Sequence, residues 1–155
     1  MGFLDKLFGA KPAPEKERER VYVTNDLGRH HLLNTDDENL DGSSRQKNLQ
    51  KCLKLEDSNE YVNYFYECKR EIHSVVAVHD KETKRGESKD VHIGIVGEVP
   101  ESIILELRST KGDRVSLLLD EPSFERCTLE NGKKGIAISL RARITWHAYE
   151  VRLPT

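Results

Sequence analysis

The stretch from Lys133 to Leu153, KKGIAISLRARITWHAYEVRL, constrains this chain more than any other. Ile136, Ile138, Leu140, Ala142, Ile144 and Trp146 alternate with Ser139, Arg141, Arg143, Thr145 and His147. Side chains two apart share a face of a strand, so the pattern predicts a long half-buried β-strand with a polar, basic outer side. Past Trp146 the apolar positions become Tyr149, Val151 and Leu153. One extra residue near His147–Ala148, as in a β-bulge, would keep both apolar sets inside.

Strand signals recur upstream. VYVT at 21–24 reads as a first short strand, and the polar 25–44 stretch after it as an irregular loop. HSVVAVH and VHIGIVGEV read as two strands joined by a charged loop containing Gly86. Ile103, Leu105 and Leu107 alternate with Ile104, Glu106 and Arg108 and read as another strand. So does Val115–Leu119, where Val115, Leu117 and Leu119 alternate with Ser116 and Leu118, with Pro122 ending the run. Asn131-Gly132 predicts a tight two-residue hairpin before the last strand. Ser43 and Gln46 have capping-box spacing and predict a helix from about Ser44 to Leu55. The aromatic run from Val62 leans to a strand that continues into the next or bends before it. The expected fold is mainly β, with α+β as its variant. It is an antiparallel meander forming a small barrel or sandwich, with one or two short helices in the N-terminal half.

Two regions follow: a flexible segment over residues 1–20 and a single β-rich domain over 21–155. In the first, Phe3, Leu4, Leu7 and Phe8 share one helical face opposite Asp5 and Lys6, and AKPAPEKERER then reads as a charged tether. Such a helix suits peripheral membrane contact or a partner's groove, or packing on its own domain or a neighbouring copy. Lys6 stands where N-myristoylation wants Ser or Thr. No apolar run approaches the roughly 20 residues of a membrane span, and no signal peptide is present. Cys52, Cys68 and Cys127 are widely spaced without a CxxC pair, which points to thiols in a reducing cytoplasm.

Motifs for chemistry are sparse. Asp37-Glu38-Asn39-Leu40-Asp41-Gly42 matches the start of a calcium loop, but its twelfth position holds Asn48 instead of a bidentate glutamate. His73, His79 and His92 could approach one another on neighbouring strands, without a ligand spacing of a known zinc or iron motif. Cys127, His147 and Asp120 form a thinkable nucleophilic set across the last hairpin, without the flanking motif of a known hydrolase. No catalytic residue, metal ligand or cofactor is assigned from these. The cyclic-dinucleotide-binding PilZ domains share the size and the basic last strand. Their two motifs do not occur here in order: Asp41-Gly42-Ser43 begins one, and Gln46 stands where its glycine belongs.

The outer row of the last strand is the leading site. Lys133, Lys134, Arg141, Arg143 and Arg152 face a single acid, Glu150, within a chain whose net charge is −2. Arg141 and Arg143 leave the same face, with Thr145 and His147 continuing the row, and could clamp a phosphate or carboxylate. The other reading pairs these arginines with acids on the next strand. The functional expectation is a non-catalytic cytoplasmic binding or regulatory module. It would recognise a protein partner, a second copy of itself or a small anionic ligand through Arg141, Arg143, Thr145 and His147. Nucleic acid is the weaker partner, because few aromatics lie beside the arginines to stack bases. The alternatives are an assembly subunit of a larger bacterial or viral complex and an unrecognised enzyme.

Overall fold

A computed structural model describes residues 18–151. The segment carrying Phe3, Leu4, Leu7 and Phe8 lies outside them, as does most of the tether. The elements run β1 (Arg18–His31), α1 (Arg45–Asp57), β2 (Val62–Lys69), β3 (Ile72–Glu82), β4 (Ser88–Glu98), α2 (Glu101–Ser109), β5 (Asp113–Thr128) and β6 (Lys134–Val151). The strands form one six-stranded antiparallel sheet in the order β1-β6-β5-β2-β3-β4. The fold is mainly β, as expected. The sheet is not closed into a barrel: a single bridge, Leu33 to Glu98, links the segment after β1 to the end of β4.

Two three-stranded leaves, β1-β6-β5 and β2-β3-β4, are joined through only two residue pairs, Tyr64–Leu119 and Phe65–Leu118. Both leaves feed one core. Ile138, Leu140 and Ala142 of β6 meet Val75 and Ala77 of β3, Val96 of β4, and Leu49 and Cys52 of α1. Each large aliphatic side chain so buried is worth roughly 1.5–3 kcal/mol over exposure. The sandwiched thiol of Cys52 is pushed up to about 12 by burial, so it stays protonated and unreactive.

β6 follows its alternation, with Ile138, Leu140, Ala142 and Ile144 buried. The bulge expected at His147–Ala148 is absent from it, since the β1 register runs unbroken from Asn25–Ile144 to Arg18–Val151. The irregularity sits in β5 instead, between Asp113 and Ser116. There Arg114 takes a positive φ of 54°.

Several local expectations need correction. β1 does not stop at Thr24: the polar 25–31 stretch stays in the sheet, with a bulge between Asp26 and Gly28. Pro122 does not end β5, because the strand absorbs it at a register shift between Asp120 and Ser123, where a missing N–H costs no ladder bond. Residues 103–108 are helical, so the second helix lies in the C-terminal half. Ile103 is buried, and Ile104 and Leu107 pack on the core while Leu105 is exposed, a helical spacing that the i, i+2 alternation obscured. Pro100 at the N-cap, Glu101 in the first turn and Arg108 in the last suit that helix. Asn131-Gly132 belongs to a three-residue loop. The Gly132 amide donates to Leu129 O and only Gly132 has positive φ, as in a type I turn closed by a bulge. The turn between β2 and β3 is the two-residue one, with Arg70 and Glu71 both at positive φ.

α1 is capped by Ser44, whose hydroxyl accepts from the Lys47 amide, one residue later than the expected cap. Its inward stripe is Arg45, Asn48, Leu49 and Cys52. The buried Arg45 guanidinium donates to Asn39 Oδ1 at 2.9 Å, to Asn34 O and to Glu98 Oε1 at 3.0 Å. Gln46 acts as one more rung of the sheet where β1 has ended. Its amide nitrogen donates to Ile136 O and its carbonyl accepts from the Ile136 amide, both at 2.9 Å. Gly94, at φ 119°, lies so close to Asn48 that a Cβ would come within 2.6 Å of its amide nitrogen.

Candidate functional site

The side chains of Arg141, Arg143, Thr145 and His147 lie in one row on the outer face of β6, as alternation requires. Flanking strands supply acids to it. Arg141 Nε donates to both Asp26 carboxylate oxygens, at 3.3 and 3.0 Å, its Nη2 adds a third bond to Asp26, and Nη1 reaches Glu121 at 3.2 Å. Arg143 pairs with Asp120 at 3.2 Å and with Glu121 at 3.5 Å. Arg29 joins from β1, donating to Glu121 O at 2.7 Å and to Ser139 O and Oγ at 3.2 Å. Three arginines thus stand among three carboxylates, and the cluster is formally neutral.

Hydrogen bonds from Arg141, then the Gly28 amide, hold the Asp26 carboxyl down to about 2. The same bonds, with those to Glu121, raise the Arg141 pKa further. These contacts match the reading in which strand arginines pair with neighbouring acids. They leave no guanidinium of the row without a carboxylate partner. Thr145 Oγ1 lies 3.4 Å from Thr24 Oγ1, and the His147 ring stands 4.0 Å from the Tyr22 ring. His147 Nδ1 and Asp120 Oδ1 are buried without a hydrogen-bond partner among the described residues.

One cross-strand row passes through Arg143 and spans all six strands: Asp26, Arg143, Leu118, Phe65, Val76 and Ile95. Its character changes from charged to apolar at the junction of the leaves. There Leu118 and Phe65 sit opposite one another and are 50% and 54% exposed. The sequence reading missed this pair. Leu118 alternates with the inward Leu117 and Leu119, which is the only local signal for it.

Other candidates are dispersed. Cys127 pairs with Gly135 and His147 with Asp113, so thiol and imidazole lie roughly 40 Å apart along the ladder at ~3.3 Å per residue. Asp120 is committed to Arg143. His73 and His79 point to the inner side, while His92 pairs with the outward Val78 on the opposite face. The calcium-like stretch is a hairpin loop: the Gly42 amide donates to Asn39 O, and Asp41 Oδ1 accepts from the Ser43 amide and hydroxyl. Those bonds lower the Asp41 pKa. Asp37 instead stands with Asp36 and Glu130 in an acidic group. Among the described residues no helix is long and apolar enough to cross a membrane. No protein-family model, curated protein or solved structure matches this chain.

Proposed function

We propose that this chain is a non-catalytic, cytoplasmic binding module that recognises a protein partner across the outer face of its sheet. The observation that carries this reading is the Leu118–Phe65 pair, exposed beside an arginine cluster that its own carboxylates already neutralise. A small anion would have to displace Asp26, Asp120 and Glu121. A protein surface can instead bury the apolar pair and use the fixed charges, with Thr145 and His147, as a polar rim. The sheet edges suit the face better than strand addition. β1 carries charged residues and a bulge, and the first half of β4 is charged and exposed. Three free thiols, at Cys52, Cys68 and Cys127, fit a reducing compartment.

A photo-crosslinking amino acid at position 65, in cells of the source organism, tests this. It should yield a discrete adduct that Leu118→Glu abolishes, whereas a crosslinker at the exposed loop residue Lys84 should yield none. An adduct of twice the chain's mass would transfer the face to self-assembly. Absence of any adduct at 65 would sink the proposal.

A further inference from the structure

Positive charge without a carboxylate partner gathers elsewhere, on the inner side of the second leaf. A cavity of about 520 Å³ lies between the C-terminal half of α1 and the paired strands β3 and β4. Helical spacing turns Lys51, Lys54 and Leu55 toward it. Strand alternation brings His79 and Lys81 from β3, and Val91 and Ile93 from β4, with His79 directly opposite Val91. Leu55, Val91 and Ile93 make an apolar wall, and Val91 is 41% exposed.

The charges are one-sided. Lys51, Lys54 and Lys81 form no ion pair among the described residues. The one acid lining the cavity, Glu60, lies 3.6 Å from His79 Nε2. Three ammonium groups around a concave apolar wall repel one another, and an anion placed among them relieves that repulsion. The volume is in the range of sites that take a small organic ligand. A cavity of about 640 Å³ between the β2–β3 turn and α2 is larger, but it mixes Glu71, Glu98 and Glu101 with Arg108, and Glu98 is already engaged by Arg45.

We propose that the Lys51–Lys54–Lys81 cavity binds an anionic amphiphile, a carboxylate or phosphate head carried on an apolar body. The lysines hold the head, while Leu55, Val91 and Ile93 take the apolar part. This site is separate from the outer face, so either assignment stands if the other fails.

Titration of the full-length protein, followed by backbone-amide NMR, tests the assignment with four probes: decanoate, inorganic phosphate, decanol and decylamine. Decanoate should shift the amides of Leu55, His79 and Val91 saturably, and a Lys51→Gln/Lys54→Gln/Lys81→Gln variant should weaken its Kd at least tenfold. Val91→Ser should weaken decanoate while leaving phosphate unchanged. Phosphate as tight as decanoate would overturn the amphiphile and leave an oxyanion site. Decylamine or decanol as tight as decanoate would overturn the role of the lysines, as would a triple variant that binds normally. Absence of saturable shifts with every probe would overturn the site itself.

Discussion

Arg45 and Arg141 make similar contacts in different surroundings. Each guanidinium reaches a carboxylate and a second acceptor group, but Arg45 has a side chain 4% exposed and Arg141 one that is 40% exposed. The inner arginine ties α1, the 34–39 loop and β4 together, and removing it strands Asn39 and part of Glu98 away from water. The outer one holds strands that backbone ladders already hold. An ion pair in water contributes little because solvent replaces it, whereas a buried one is costly to break from one side. Burial, more than the number of bonds, decides which arginine the fold depends on.

Arg45→Met should show the largest effect, a loss of about 3 kcal/mol in urea unfolding, moderated by the partial exposure of Glu98. A loss near zero would mean that the 34–44 loop reorganises to satisfy its own polar groups. Gln46→Leu should cost about 1–3 kcal/mol, because the Ile136 amide and carbonyl lose their partner. Hydrogen exchange at the Ile136 amide should accelerate in that variant, which separates the lost rung from a general loss of stability. Arg141→Met should destabilise less than either, with a difference from wild type that shrinks as salt is added. An Arg141 effect equal to that of Arg45, and indifferent to salt, would break the comparison.

The smallest effect concerns pH. Folding lowers the Asp26 carboxyl from 3.8 to about 2, so its contribution is fully present above pH 4 and is lost as pH falls toward 2. Carboxyl-carbon NMR should show that low midpoint in the wild type. Arg141→Met should raise it toward the ordinary value, and an unchanged midpoint would shift the cause to the Gly28 amide.

Much of the architecture was legible where one face of an element is buried throughout. From Ile138 to Ile144 β6 alternates because every second residue meets the core, and α1 carries its apolar stripe in Leu49 and Cys52, with Ser44 capping it one residue after the expected Ser43. Legibility failed where two periods coincide. Ile103, Leu105 and Leu107 fit a strand, while Ile103, Ile104 and Leu107 fit a helix, and only packing on the core decided between them. It failed again where polar residues carry structure. The 25–31 stretch reads as a loop until its pairing with β6 is known, and Asp26 meets Arg141 across 115 positions of sequence. Lys51, Lys54 and Lys81 read as ordinary solvated charges, because nothing local indicates that a helix and a distant strand face one cavity.

Among the described residues β1 has one strand neighbour, β6, and their register joins Arg18 to Val151. The first of the described strands to leave the ribosome is therefore completed by the last. The β2–β4 leaf has hairpin ladders of short range and can form while synthesis continues, but β1 has to wait for about 120 further residues before its ladder can close. Such distant pairing slows folding and lengthens the time during which an unpaired strand is open to misassembly. The charges and the bulge of β1 are then protection needed during birth as much as in the finished molecule.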